Sequence, residues 1–229
     1  MANQGQEYGS KWNLDQYLKF GNDNLNKAII DVLGMKALGV KKIEWLFLEN
    51  GTEFKGIDFI SNPSSEIINA WQNYWPQSGN VQNWDAVGRM HRSDRLDDFE
   101  YILVEAKGHV NEVRTSCNAK SAESLEMIRQ AMLQTKNILG VSSDRDYLNG
   151  YYQTANRLAF LCFLHEQNIP VRLVFLYFCG DKHPGKICPK DESAWFSLCL
   201  NDEKKHLGLT GDYILSDRIH KVFLPAYNL

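Results

Sequence analysis

The chain has 229 residues, 44% of them hydrophobic and 23% charged, and a formal net charge of −3. That composition is ordinary for a soluble globular protein with one sizeable core, and it argues against both disorder and a membrane class. No apolar run approaches the ~18–20 residues that span a bilayer, and the opening MANQGQEYGSKWN lacks the apolar centre of a signal peptide, so a cytoplasmic protein with no membrane partner is expected.

Residues 13–34 carry apolar side chains at helical spacing, with Gly21-Asn22-Asp23 breaking the run in two and Gly34 ending it. KKIEWLFLEN reads as a short strand, Asn50-Gly51 as a turn, and FKGIDFIS as a second extended piece. Pro63, Ser64 and Ser65 open a helix that carries Glu66 and runs to Tyr74. A loop, WPQSGNVQNW, follows, and the tryptophans at its edges, Trp75 and Trp84, are expected to be packing anchors. Further on, Ser121 caps a helix to about Leu139, with Gly140 as its stop. A second helix spans roughly Asn149 to Gln167, with Ala155, Leu158, Ala159 and Cys162 as its buried side and Gln153, Asn156 and Arg157 sharing a polar face that, read plainly, caps and solvates it. PVRLVFLYFC, from Pro170 to Cys179, is apolar enough for a strand buried on both faces. Asp191 caps a last helix to about His206, and RIHKVFLPA reads as a final strand.

The stretch that organises the rest is Trp84 to Lys107, WDAVGRMHRSDRLDDFEYILVEAK. Two extended segments flank a polar turn, which makes a β-hairpin. Symmetric antiparallel pairing about Arg95 puts Asp85 opposite Glu105, and Lys107 shares Glu105's face because it lies two residues on. Neighbouring carboxylates repel, and a divalent cation relieves that repulsion. Asp and Glu oxygens suit Mg²⁺ or Mn²⁺, and a lysine beside the metal acts on the attacking water or offsets charge on a phosphate. Read plainly, the same three residues are a solvated salt bridge at a hairpin's end.

Here the chain resembles the PD-(D/E)XK nuclease superfamily, whose core is a helix, a hairpin bearing Asp and then Glu-x-Lys, a crossing helix and a further strand. The resemblance covers roughly Pro63 to Cys179 of what is expected to be one domain, 1–229. It implies an α/β fold with a restriction-endonuclease-like core: a mixed central sheet of about five strands with helices on both sides. Asp85 matches the motif's Asp, Glu105 its acidic residue and Lys107 its Lys. Glu66 matches the carboxylate that many members carry on the preceding helix. Gln153 looks like the glutamine that several branches direct at the site from the helix after the Glu-x-Lys strand. Trp84 stands where the motif's name has Pro.

The implied activity is Mg²⁺- or Mn²⁺-dependent hydrolysis of phosphodiester bonds, in DNA ahead of RNA. Asp85 and Glu105 would hold the metal, Glu66 would support them, Lys107 would act on the water and Gln153 would orient water or backbone. The other class of reading is an inactive domain of the same fold that binds nucleic acid or protein. A negative net charge argues against avid non-specific binding to nucleic acid, although Lys182, His183, Lys186 and Lys190 form a local basic cluster. His109 and Glu112 lie near the motif and read first as a polar edge, and Arg157 is placed to touch a phosphate. A cysteine or serine hydrolase ranks last, because no Gly-x-Ser-x-Gly appears. The five cysteines are scattered without a Cys-x-x-Cys pair and are expected to be reduced; Cys179, His183 and Cys188 fit no common zinc spacing. Oligomeric state is open, a homodimer included.

Overall fold

The computed structural model describes residues 7–34, 39–48, 53–79, 81–95 and 97–227. Its centre is a five-stranded mixed sheet of β1 (Lys42–Leu46), β4 (Ala86–His91), β5 (Phe99–Lys107), β6 (Val171–Cys179) and β7 (Ile219–Pro225), paired in that order. β4 runs antiparallel to both neighbours, while β5, β6 and β7 are parallel. A two-stranded side sheet joins β2 (Phe54–Lys55) to β3 (Asn83–Trp84).

Alternation along the strands sends side chains to two separate cores. On one face Ile102, Val104, Val174 and Leu176 pack under α1 (Ser10–Phe20) and α2 (Asn22–Leu33) through Leu14, Tyr17, Leu25 and Ile29. On the other, Tyr101, Leu103, Leu173 and Phe175 meet α3 (Ser65–Tyr74), α4 (Ala122–Leu139) and α5 (Tyr152–Glu166). Trp195 and Leu200 close that layer from the helical stretch of α6 (Glu192–Trp195), a wide turn at Phe196–Leu200 and α7 (Asn201–His206). The expected α/β class, with helices on both faces of a five-stranded sheet, is therefore observed. Two of its strands, β1 and β7, lie outside the stretch 63–179 on which the resemblance rests.

The helix ends follow their local chemistry. Ser64 and Ser121 each accept a backbone N–H three residues on, at 3.4 and 3.0 Å, and Gly140 ends α4 at φ 70°. Trp75 and Trp84 are 1% exposed, so both anchor the core. β6 is buried along nearly its whole length and returns beside β5 through α4 and α5.

Two expectations fail. FKGIDFIS is not extended along its length. Only Phe54 and Lys55 are extended, and they pair with β3, because Gly56 takes φ 48° against the Trp71 indole and turns the chain. α5 was expected to bury one side and solvate the other, yet every residue from Thr154 to Leu164 is buried. Its polar first turns face the interior because α4 and the sheet cover it on both sides. The proposed Asn50-Gly51 turn lies outside the described residues.

Candidate functional site

Ala86 stands opposite Val104, the register that pairing about Arg95 demands. Asp85 sits one residue before β4, at the bend where the chain leaves the side sheet, and its N–H donates to the Val104 carbonyl at 3.2 Å. Its Oδ2 accepts the Ala106 N–H at 2.7 Å, which ties the carboxylate to the carboxyl end of β5. Glu105 and Lys107 emerge there on one face, 2% and 4% exposed. Lys107 Nζ donates to Glu105 Oε1 at 2.5 Å and to Gln153 Oε1 at 2.7 Å.

α5 contributes a second cation. Arg157 Nε donates to Glu105 Oε2 at 2.7 Å, and Nη2 lies 2.7 Å from the same oxygen and donates to the Asn83 carbonyl at 2.7 Å. Its guanidinium lies over the Trp84 ring, 4.7 Å from the centroid. Arg157 is thus a partner of the motif carboxylate, a role the sequence reading missed. The signal was available in its spacing, four residues from Gln153, but only the burial of α5 turns that face toward β5.

The two carboxylates sit in opposite electrostatic states. Burial pushes Glu105 up, but the Arg157 and Lys107 charges outweigh it and hold the carboxyl below the usual range. Asp85 is pushed up to about 7, by burial first and by the Glu105 charge second, against the Ala106 N–H, Lys107 and Arg157. One acid is satisfied and the other is strained.

Glu66 does not join this group. It lies on the exposed first turn of α3, where bonds to Ser64, the backbone and Ser65 lower its pKa. Asp85 instead faces a cavity of 140 Å³ lined also by Lys11, Asp15 and Glu53. Lys11 and Asp15 are four apart on α1, and Lys11 Nζ holds Glu53 at 2.7 Å. On the opposite flank, Gln153, Asn156 and Arg157 line a cleft of 720 Å³. His109 and Glu112 belong to a neighbouring polar edge: Glu112 accepts the Gly108 and His109 N–H groups and the Ser10 hydroxyl, and the His109 ring lies 4.9 Å from that of His183. All five cysteines are free thiols.

The donor set suits a hard cation bound loosely. Asp85 and Glu105 offer oxygens only, and a carboxylate has about four lone-pair sites, so Glu105 can serve Lys107, Arg157 and a metal together. Among the described residues no group of three His, Cys, Asp or Glu side chains is placed to hold a metal ion. Two carboxylates completed by water and a substrate phosphate is the coordination Mg²⁺ commonly accepts. No helix among the described residues is long and apolar enough to cross a membrane.

Comparison with protein-family models, with curated proteins and with solved structures finds no match to this chain.

Proposed function

We propose that the chain is a Mg²⁺- or Mn²⁺-dependent nuclease that hydrolyses phosphodiester bonds in nucleic acid, DNA ahead of RNA, on a restriction-endonuclease-like core. The observation that carries this reading is the meeting of Asp85, Glu105 and Lys107 at the carboxyl end of β5, with Lys107 held between Glu105 and Gln153. The order of parts supports it: a hairpin with Asp and then Glu-x-Lys, crossing helices, and a parallel strand on the far side.

Asp85 and Glu105 would hold the cation, which supplies Lewis-acid stabilisation of charge at phosphorus. Asp85, strained as an isolated anion, is the group that gains most from a nearby positive charge. Lys107 has three donors, and two are fixed on Glu105 and Gln153. The third is left to orient the attacking water or a phosphate oxygen. Gln153 positions Lys107, and Arg157 on Oε2 with Lys107 on Oε1 hold the two oxygens of the Glu105 carboxylate. Incubation of the purified protein with single- and double-stranded DNA and RNA in Mg²⁺, Mn²⁺ or EDTA tests this. Cleavage that needs metal and disappears in Glu105→Ala is expected; a Glu105→Ala protein that still cuts with unchanged metal dependence ends the reading.

One observation favours an inactive binding module of the same fold. Both Glu105 oxygens are already engaged by buried cations, so the cluster is neutralised without metal. Calorimetric titration with Mn²⁺ separates the two, since a cluster locked in ion pairs takes up none.

A further inference from the structure

We infer that the 720 Å³ cleft beside Gln153 and Arg157 holds the backbone of a single strand of nucleic acid, gripped at its rim by Lys55 and Lys120. The inference deepens the nuclease reading and rests on it for the choice of polyanion.

Charge is the first argument. In a chain of net charge −3, this cleft is lined by Lys55, Lys120 and Arg157 and, among the described residues, by no aspartate or glutamate. Arg157 is spent on Glu105, so the charge offered to a ligand comes from the two lysines. Both are exposed, and neither makes an ion pair with a described residue. α4 and α5, of 18 and 15 residues, also begin on the cleft wall, at Ser121 and Tyr152, and turn the positive ends of their dipoles toward it. Hydroxyls and amides such as Ser116 and Asn118 share the rest of the lining with Trp75, Pro76, Val81 and Ile128, and supply donors that phosphate and sugar oxygens take.

Depth is the second argument, and it chooses the strand. The cleft floor is Gln153 and Arg157, and behind them Lys107 and Glu105 are nearly sealed from solvent. A phosphate that approaches Glu105 and Lys107 from this flank must therefore descend into the recess. Duplex DNA is stiff over ~150 base pairs and rides on a rim, whereas a single strand bends inward. The partly exposed Tyr152 offers a ring on which a base can stack.

Fluorescence anisotropy with a labelled oligonucleotide in EDTA tests the proposal without requiring catalysis. DNA and RNA single strands are compared with the duplex of the same sequence. A single strand of at least one kind should bind about tenfold or more tighter than duplex, and which kind it is names the source. Lys55→Glu with Lys120→Glu should weaken it at least about tenfold and reduce the log–log salt slope by about 1.4, at ~0.7 per phosphate contact. Lys27→Glu, on α2 beyond the sheet, makes half that charge change elsewhere and should alter binding less than about twofold. Duplex binding as tight as the single strand, or equal weakening by Lys27→Glu, overturns the proposal. Single-strand binding without cleavage in either Mg²⁺ or Mn²⁺ would end the nuclease reading and leave the cleft's ligand standing.

Discussion

Strand β5 buries a glutamate near each end, and the two are clamped in ways that look alike and act differently. Glu100, at the amino end, is held by Arg92 at 2.7 Å, Arg172 at 2.9 Å and by Arg218. Glu105, at the carboxyl end, is held by Lys107 and Arg157. Burial works against both anions, and in both cases the neighbouring cations outweigh it. What separates the two ends is the rest of the neighbourhood. Glu105 has Asp85 against it, an acid its surroundings do not satisfy, and a wide cleft on its flank. Around Glu100 the imbalance is cationic and is absorbed structurally, with Arg172 also bonded to the Asp217 carbonyl. A buried ion pair is thus weak grounds for a site; a strained partner beside a cleft is stronger.

Replacement of each glutamate by glutamine breaks that comparison if it is wrong. Glu105→Gln should abolish metal-dependent cleavage, a fall of more than about 10³-fold, because it removes a ligand charge and releases Lys107. Glu100→Gln should leave cleavage per folded molecule within about twofold, yet lower stability by about 3–5 kcal/mol, since three arginines lose their common anion. Chemical denaturation and single-turnover assays on both proteins give the four numbers needed. A reversed pattern would place the working end of the sheet at Glu100. Arg157→Lys comes next in size: a point charge cannot join Glu105 to the Asn83 carbonyl as the planar guanidinium does, so kcat should drop about tenfold with KM little changed.

The hairpin was legible because its register depends on local arithmetic alone. A turn at Arg95 fixes Asp85 against Glu105 without knowledge of anything else in the chain. β6, the last strand and the capped helix ends were legible for the same reason, through apolar runs and Ser or Gly at fixed offsets. The wall around the hairpin was not. Arg157 reads as a surface cation until α5 is seen to be buried on all sides, and burial of a whole helix circumference leaves no amphipathic signature. Asp15 and Glu53 reach Asp85's cavity from positions distant in sequence, while Glu66, the carboxylate the resemblance brought to the site, faces solvent. Tertiary approach decided each of these.

The smallest expected effect distinguishes the two ends by the sign of their pH dependence. Asp85 titrates at about 7 in the fold and near 3.9 in an unfolded chain, so between those values the native state holds the extra proton and stability falls as pH rises. His220, beside Arg172, is held neutral by burial and by that cation, with its pKa lowered to about 4. The unfolded state binds the extra proton there, so between about 4 and 6.5 stability rises with pH. The two slopes oppose each other across that window. Asp85→Asn should unmask a rise in melting temperature from pH 4 to 6.5, and His220→Asn a fall continuing to about pH 7. Both side chains keep some contact with solvent, so each difference should be on the order of 1–2 kcal/mol, below the full shift. Differential scanning fluorimetry of the two variants against the parent, without metal, reads both slopes. If Asp85→Asn leaves the profile unchanged, Asp85 is not strained, and the carboxyl end of β5 loses the feature that sets it apart from the amino end.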